Sequence, residues 1–216
     1  MFEPAQILVF LAAALLLAIT PGPGLFYVAA RTLSGGQGEG IASSLGTGLG
    51  GMVHVFAGGL GLSALVLASA ELFTILKWVG AAYLVWLGWR TLTSAYHNSH
   101  AGLDFQAPLA AGDRASAFRE GFLVEALNPK TAAFFLAFVP QFITANGAGI
   151  MVQFIVLGSV SVVLNTLADF AMVFAAQHIR HYSASRPRTI LRFRKLSGLT
   201  LIALGLGLAA AETQNH

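Results

Sequence analysis

Thr20-Pro21-Gly22-Pro23-Gly24 and Asn128-Pro129-Lys130 interrupt two otherwise apolar runs, one in each half of the chain. Proline has no backbone N–H and clashes with the preceding turn, which costs ~3 kcal/mol in a helix interior. In the core of a bilayer, the backbone groups freed by such a break must find partners inside the protein. Paired breaks at corresponding places in two halves are the best sequence pointer to the binding site of a secondary transporter.

The surroundings of the breaks support a membrane setting. The chain has 216 residues, 56% hydrophobic and 10% charged, against ~25% charged in an ordinary soluble domain. Its mean hydropathy is +0.73. Reading about 20 apolar residues as one crossing gives six spans, near 5–31, 41–69, 71–95, 118–144, 149–177 and 195–212. The first and fourth are long enough to hold a break and still cross. Met1-Phe2-Glu3-Pro4 lacks the basic start of a signal peptide, so 5–31 reads as a first membrane helix. With no cysteine, disulfides, thiol catalysis and thiolate metal sites are excluded.

The halves echo each other. Pro21 and Pro129 open similar runs, Gly24-Leu25-Phe26-Tyr27-Val28 and Ala132-Ala133-Phe134-Phe135-Leu136. The third and sixth spans begin alike, with Lys77-x-x-Gly80 and Lys195-x-x-Gly198. Three spans per half would make the second repeat enter from the opposite side, an inverted repeat. The expectation is an all-α membrane protein with a single transporter domain over 1–216. Repeat one covers about 5–95, a loop about 96–117, and repeat two about 118–212.

Charge sets the orientation. Arg31, Arg90, Arg114, Arg119, Arg180, Arg186, Arg188, Arg192, Arg194 and Lys195 border the odd loops, whereas only Lys77 borders the even side. The positive-inside rule then places the odd loops in the cytoplasm and both termini outside. The same bias explains the net charge of +3 without nucleic acid. The basic 178–195 loop reads as a contact for anionic lipid.

An ionisable group in the hydrocarbon region costs ~2.5–3.5 kcal/mol by insertion scales and is a functional candidate by default. His54, Glu125, Lys130 and Asp169 qualify. At 1.5 Å per residue they fall between roughly 10 and 20 Å from the cytoplasmic ends of their spans, as does Pro21. Asp169 lies one turn after Asn165 and reads as a proton acceptor or a seat for a substrate ammonium, with an ion pair to Lys130 as its structural alternative. Lys130 follows the Asn128-Pro129 break, where a half-helix N-terminus and its own ammonium would favour a carboxylate; alternatively it neutralises Glu125 or Asp169. Asn128 reads as the N-cap of the second half-helix. Glu125 either joins the site or faces the cytoplasmic mouth beside Arg119. Gly46, Gly50, His54 and Gly58 form a stripe at four-residue spacing that admits a neighbouring backbone, with His54 as a hydrogen-bonded packing residue. A lone His is poor grounds for a metal. The glycine clusters lack the Walker lysine and strand-before-helix setting of a nucleotide loop. No cofactor or metal is implied.

Taken together, these motifs are similar to those of the lysine exporter (LysE/RhtB) family of amino-acid exporters. The resemblance rests on Pro21-Gly22-Pro23-Gly24, the glycine-rich second span, the 76–88 run from Leu76-Lys77-Trp78 to Trp86-Leu87-Gly88, Leu127-Asn128-Pro129-Lys130 and Phe138-Val139-Pro140-Gln141-Phe142. It covers essentially the whole chain. It implies efflux of threonine, homoserine, homoserine lactone or basic amino acids, driven by the proton gradient. Asp169 matches an acidic residue of the family's fifth span, whereas Glu125 departs from a position usually neutral and polar. The resulting expectation is a substrate site of Pro21, Gly22, Pro23, Gly24, Asn128, Pro129, Lys130 and Asp169. Proton coupling falls to Asp169 and Glu125, and a homo-oligomer stays open. The rival readings are a metal-cation exporter, a membrane enzyme and a membrane assembly protein.

Overall fold

The computed structural model describes residues 4–68, 113–144 and 148–182 continuously, with isolated helical positions between 75 and 93 and between 195 and 210. Among them every regular element is helical. The third and sixth expected spans, with the lysine echo at Lys77 and Lys195, lie largely outside the described residues, as does most of the 178–195 loop.

Both breaks are real. Helices α1 (Pro4–Ile19) and α2 (Pro23–Gly35) meet at 45° across the first. Helix α4 (Arg114–Ala126) meets the Pro129–Phe142 segment at 42° across the second. That segment starts as α5 (Pro129–Ala133), then runs through a π turn at Phe134–Phe138 and a 3-10 turn at Val139–Phe142. Two long helices frame these pairs: α3 (Gln37–Ala68) and α6 (Ile150–Tyr182). Among the described residues, Ile150–His178 is long and apolar enough to cross a membrane alone, and each bent pair qualifies as one further span.

The surface is as apolar as the interior. On α1, Leu8, Val9, Leu15, Leu16 and Ile19 are exposed, while Thr32, Ser43, Ser44 and Thr47 are buried. Exposed apolar surface on that scale marks a membrane or partner contact rather than a water-facing one. Helices therefore pack through small residues. A side chain at Gly46 would strike the Phe118 carbonyl oxygen, and one at Gly121 would lie 2.7 Å from the Ser43 oxygen. The backbones of α3 and α4 meet there, as the glycine stripe predicts.

Aromatic rings fill one end. Phe10 packs edge-on against Phe142 at 5.2 Å between ring centroids, and Phe138 lies 5.1 Å from both Phe134 and Phe142. The π turn places Phe134, Phe135 and Phe138 in the core together.

Candidate functional site

The site grows from what each proline withholds. In a continuous helix the N–H of residue 21 would bond the Leu17 carbonyl, but Pro21 has none, so that oxygen keeps only a shared bond from the Thr20 N–H at 3.2 Å and has room for a second donor. Lys130 reaches across from the other break to meet it. Its Nζ donates to the Leu17 oxygen at 3.1 Å and to the Thr20 oxygen at 2.9 Å. A buried ammonium thus sits on the C-terminal end of α1, where the helix dipole is negative.

The second break is answered in kind. Pro129 cannot bond the Glu125 carbonyl, which instead accepts from the Asn128 N–H at 3.0 Å and from His54 Nε2 at 2.9 Å. A carbonyl only accepts, so this contact requires the tautomer with hydrogen on Nε2. His54 also stacks on Phe135. The packing reading of His54 holds, and the residue it packs for is the break.

Asn128 is the N-cap, its Oδ1 accepting from the Lys130 N–H at 3.0 Å. Its Nδ2 donates to Glu125 Oε2 at 2.8 Å, and Thr131 Oγ1 donates to Oε1 at 2.6 Å. Glu125 is accordingly 2% exposed, not at a mouth beside Arg119. Arg119 is exposed on the same helix, and six residues of α-helix turn the two side chains toward different directions.

The first break is shaped to receive these side chains. A Cβ at Gly24 would lie 2.5 Å from Glu125 Oε2, and one at Gly22 would lie 3.0 Å from Lys130 Cε and Nζ. The Glu125 carboxylate thereby stands at the positive N-terminal end of α2, which has no side-chain cap of its own. Pro21 is buried, but Pro23 and Pro129 are exposed, each in the first turn of its helix. Those two rings face away from the site and act by the N–H they lack.

Asp169, 1% exposed, accepts from Thr47 Oγ1 at 2.6 Å. In place of the alternative ion pair with Lys130, the two residues make these separate hydrogen bonds. Arg31 forms ion pairs with Glu39 and Glu120. Thr47 also lines a cavity with Leu17, Glu125, Thr131, Ser161 and Asn165. Its volume is about 10 Å³, room for one water-sized centre and far short of an amino acid.

Sequence reading missed Thr47 and Thr131, whose hydroxyls carry no periodic or charge signal. It also counted Arg31 only as a marker of sidedness, although Arg31 is 3% exposed. Among the described residues, no group of three His, Asp or Glu side chains is gathered as a metal would need.

Known proteins are similar to this chain along nearly its whole length. The model of the LysE type translocator family matches residues 15–212. A membrane protein of Vibrio cholerae is 32% identical over 214 residues, 95% of this chain and 97% of that protein. A homoserine/homoserine lactone efflux protein of Salmonella typhimurium is 30% identical over 205 residues, 94% of this chain and 95% of its own length. A leucine efflux protein of Klebsiella pneumoniae is 24% identical, with 98% of each chain covered. No solved structure matches. A family match over nearly the whole length, with both breaks inside it, means that this chain belongs to the LysE type translocators.

Proposed function

We propose that this chain exports a zwitterionic amino acid or a close derivative across the bacterial inner membrane, coupled to inward proton movement. The observation that carries the reading is the small cavity beside two broken helices whose bare ends are occupied by a carboxylate and an ammonium of the protein itself. An amino acid bears the same two charges. On opening, its carboxylate takes the end of α2 that Glu125 holds, and its ammonium takes the α1 carbonyls that Lys130 holds. Efflux names among the relatives, for homoserine, homoserine lactone and leucine, support substrates of this class.

In this reading Asp169 carries the proton, through the Thr47 hydroxyl at the cavity wall, and Glu125 alternates between the α2 end and a protonated state. The two halves, about 5–95 and 118–212, form inverted repeats that enclose the site. The excess of Arg and Lys on the odd loops puts both termini in the periplasm and the basic 178–195 loop against anionic lipid.

The test is efflux of homoserine, threonine, leucine and lysine from preloaded proteoliposomes under an imposed proton gradient. Efflux of at least one should be gradient-driven in the wild type. Asp169→Asn should insert and fold normally yet lose that drive across pH 6 to 8. Wild-type rates in this variant would remove the proton role. Restoration by the Asp169→Asn/Lys130→Met double variant would instead mark a charge pair, which the separate bonding of the two residues argues against.

A further inference from the structure

The cavity is flanked at its two ends by different chemistry. Beyond the aromatic cluster at one end, a polar knot lies toward the end where α2 finishes and α3 and α4 begin. Its centre is Arg31 on α2. The guanidinium reaches Glu39 of α3 at 3.2 Å, and Glu120 and Ser116 of α4 at 2.6 and 3.3 Å; its Nε donates to Tyr27 at 3.0 Å. The Tyr27 hydroxyl lies 3.1 Å from the Ala117 carbonyl and 3.0 Å from Glu120, either of which can take its proton. Ser116 donates to the other Glu120 oxygen. Arg31, Glu39 and Glu120 each stand about eight residues, roughly 12 Å, from the nearer break or from Thr47.

We propose that α2 is a hinged gate and that Arg31 is its latch onto α3 and α4, closing the cavity toward the face on which α4 begins. The inference rests on the transporter reading and assigns the moving part. Three features support it. First, α2 is bounded by joints: the break at residues 20–22, and Gly36 at φ 83°, a left-handed conformation that favours glycine. Second, the platform it closes on is fixed, because α3 and α4 meet backbone to backbone at Gly46 and Gly121. Third, charged partners that separate on opening are rehydrated, whereas separated aromatic rings would be exposed to water. Arg31 and Glu39 are buried while Glu120 is half-exposed; such a partly buried ion cluster is weak as a stabiliser compared with apolar packing, and the best-attested use of buried ion pairs is in switching and register. Gly35 belongs to the same device, since any side chain there would occupy the place of the Glu39 carboxylate.

The chain has no cysteine, so a single Ser161→Cys substitution at the cavity wall reports access. Vesicles of each orientation are treated with an impermeant thiol reagent, without any substrate. An open state populated at 0.1–10% leaves room for roughly a tenfold rise when a latch is lost. In the Ser161→Cys background, Glu120→Gln should raise labelling roughly tenfold from the α4-start face. It should leave labelling from the opposite face unchanged. Tyr27→Phe, which keeps the charges paired, should act in the same direction with a smaller rise, and it carries the test if Glu120→Gln fails to fold. Unchanged labelling in both variants overturns the latch. An equal rise from both faces, the mark of a loosened fold, overturns it too. Because no substrate is present, failure of the latch leaves the export reading standing, and failure of export leaves a side-selective rise intact.

Discussion

The two helix breaks solve one problem with unequal means. Each proline withholds a donor from a carbonyl that keeps one backbone bond, from the Thr20 or the Asn128 N–H, and each of those carbonyls also accepts from a side chain of the other half of the chain: Leu17 from Lys130, and Glu125 from His54. There the likeness ends. The second break caps itself, with Asn128 bonding the Lys130 N–H and holding Glu125. The first has glycine at its N-cap and no capping side chain. It supplies bare helix ends and room, while the second supplies the charges that fill them. A site built this way is vacated when the two breaks part, because the groups that satisfy the first break belong to the second.

The most damaging change should be Lys130→Met. It strips two carbonyls of a charged donor, at about 1.5–3 kcal/mol for each such bond, and it removes the positive charge from a region holding Glu125 and Asp169. Export should be abolished, and thermal unfolding in detergent should show a loss of several kcal/mol; a variant as stable as wild type would mean that the first break is satisfied without its partner.

Gly24→Ala comes next. The new methyl would displace Glu125 from the α2 end and strain its bond to Asn128, for a cost of about 1–3 kcal/mol, the usual range for overpacking. Glu125→Asp shortens the acid and should relieve the clash, so a double-mutant cycle should return a coupling of about 0.5–3 kcal/mol. Strict additivity would place Glu125 elsewhere.

His54→Phe tests the reciprocal contact. Phenylalanine preserves the stack on Phe135 but cannot donate to the Glu125 carbonyl, which keeps its bond from the Asn128 N–H. A loss of about 0.5–1.5 kcal/mol is expected, with export slowed rather than abolished. An effect as large as that of Lys130→Met would erase the asymmetry between the breaks. The smallest change should be Thr20→Val, which removes only a local bond from Oγ1 to the Leu16 oxygen. Thermal unfolding should shift by less than about 1 kcal/mol, and export rates should stay near wild type.

Four described helical stretches follow the sequence reading closely. The expected spans 5–31, 41–69, 118–144 and 149–177 correspond to Pro4–Gly35 with its bend, Gln37–Ala68, Arg114–Phe142 with its bend, and Ile150–Tyr182. Apolar length and proline are local properties, so they read directly. Glu125 did not, because depth along a helix says nothing about the direction in which a side chain points. Its burial follows from Asn128 and Thr131 turning donors toward it across the break. Arg31 was hidden for a similar reason: a basic residue near a span end serves the sidedness rule whether it faces water or two neighbouring helices.

By itself, the sequence determined the membrane class, the places where helices break and the capping role of Asn128. Each follows from a property carried by a few neighbouring residues: apolar run length, a missing N–H, or a side-chain oxygen two residues before an orphaned donor. Tertiary structure alone decided which groups answer the breaks. Lys130 bonds a carbonyl 113 positions away, His54 one 71 away, and Thr47 an aspartate 122 away. No local pattern encodes such a pairing. It exists because glycines at 22, 24, 46 and 121 let helices approach until the freed backbone groups of one break lie within reach of side chains anchored at the other.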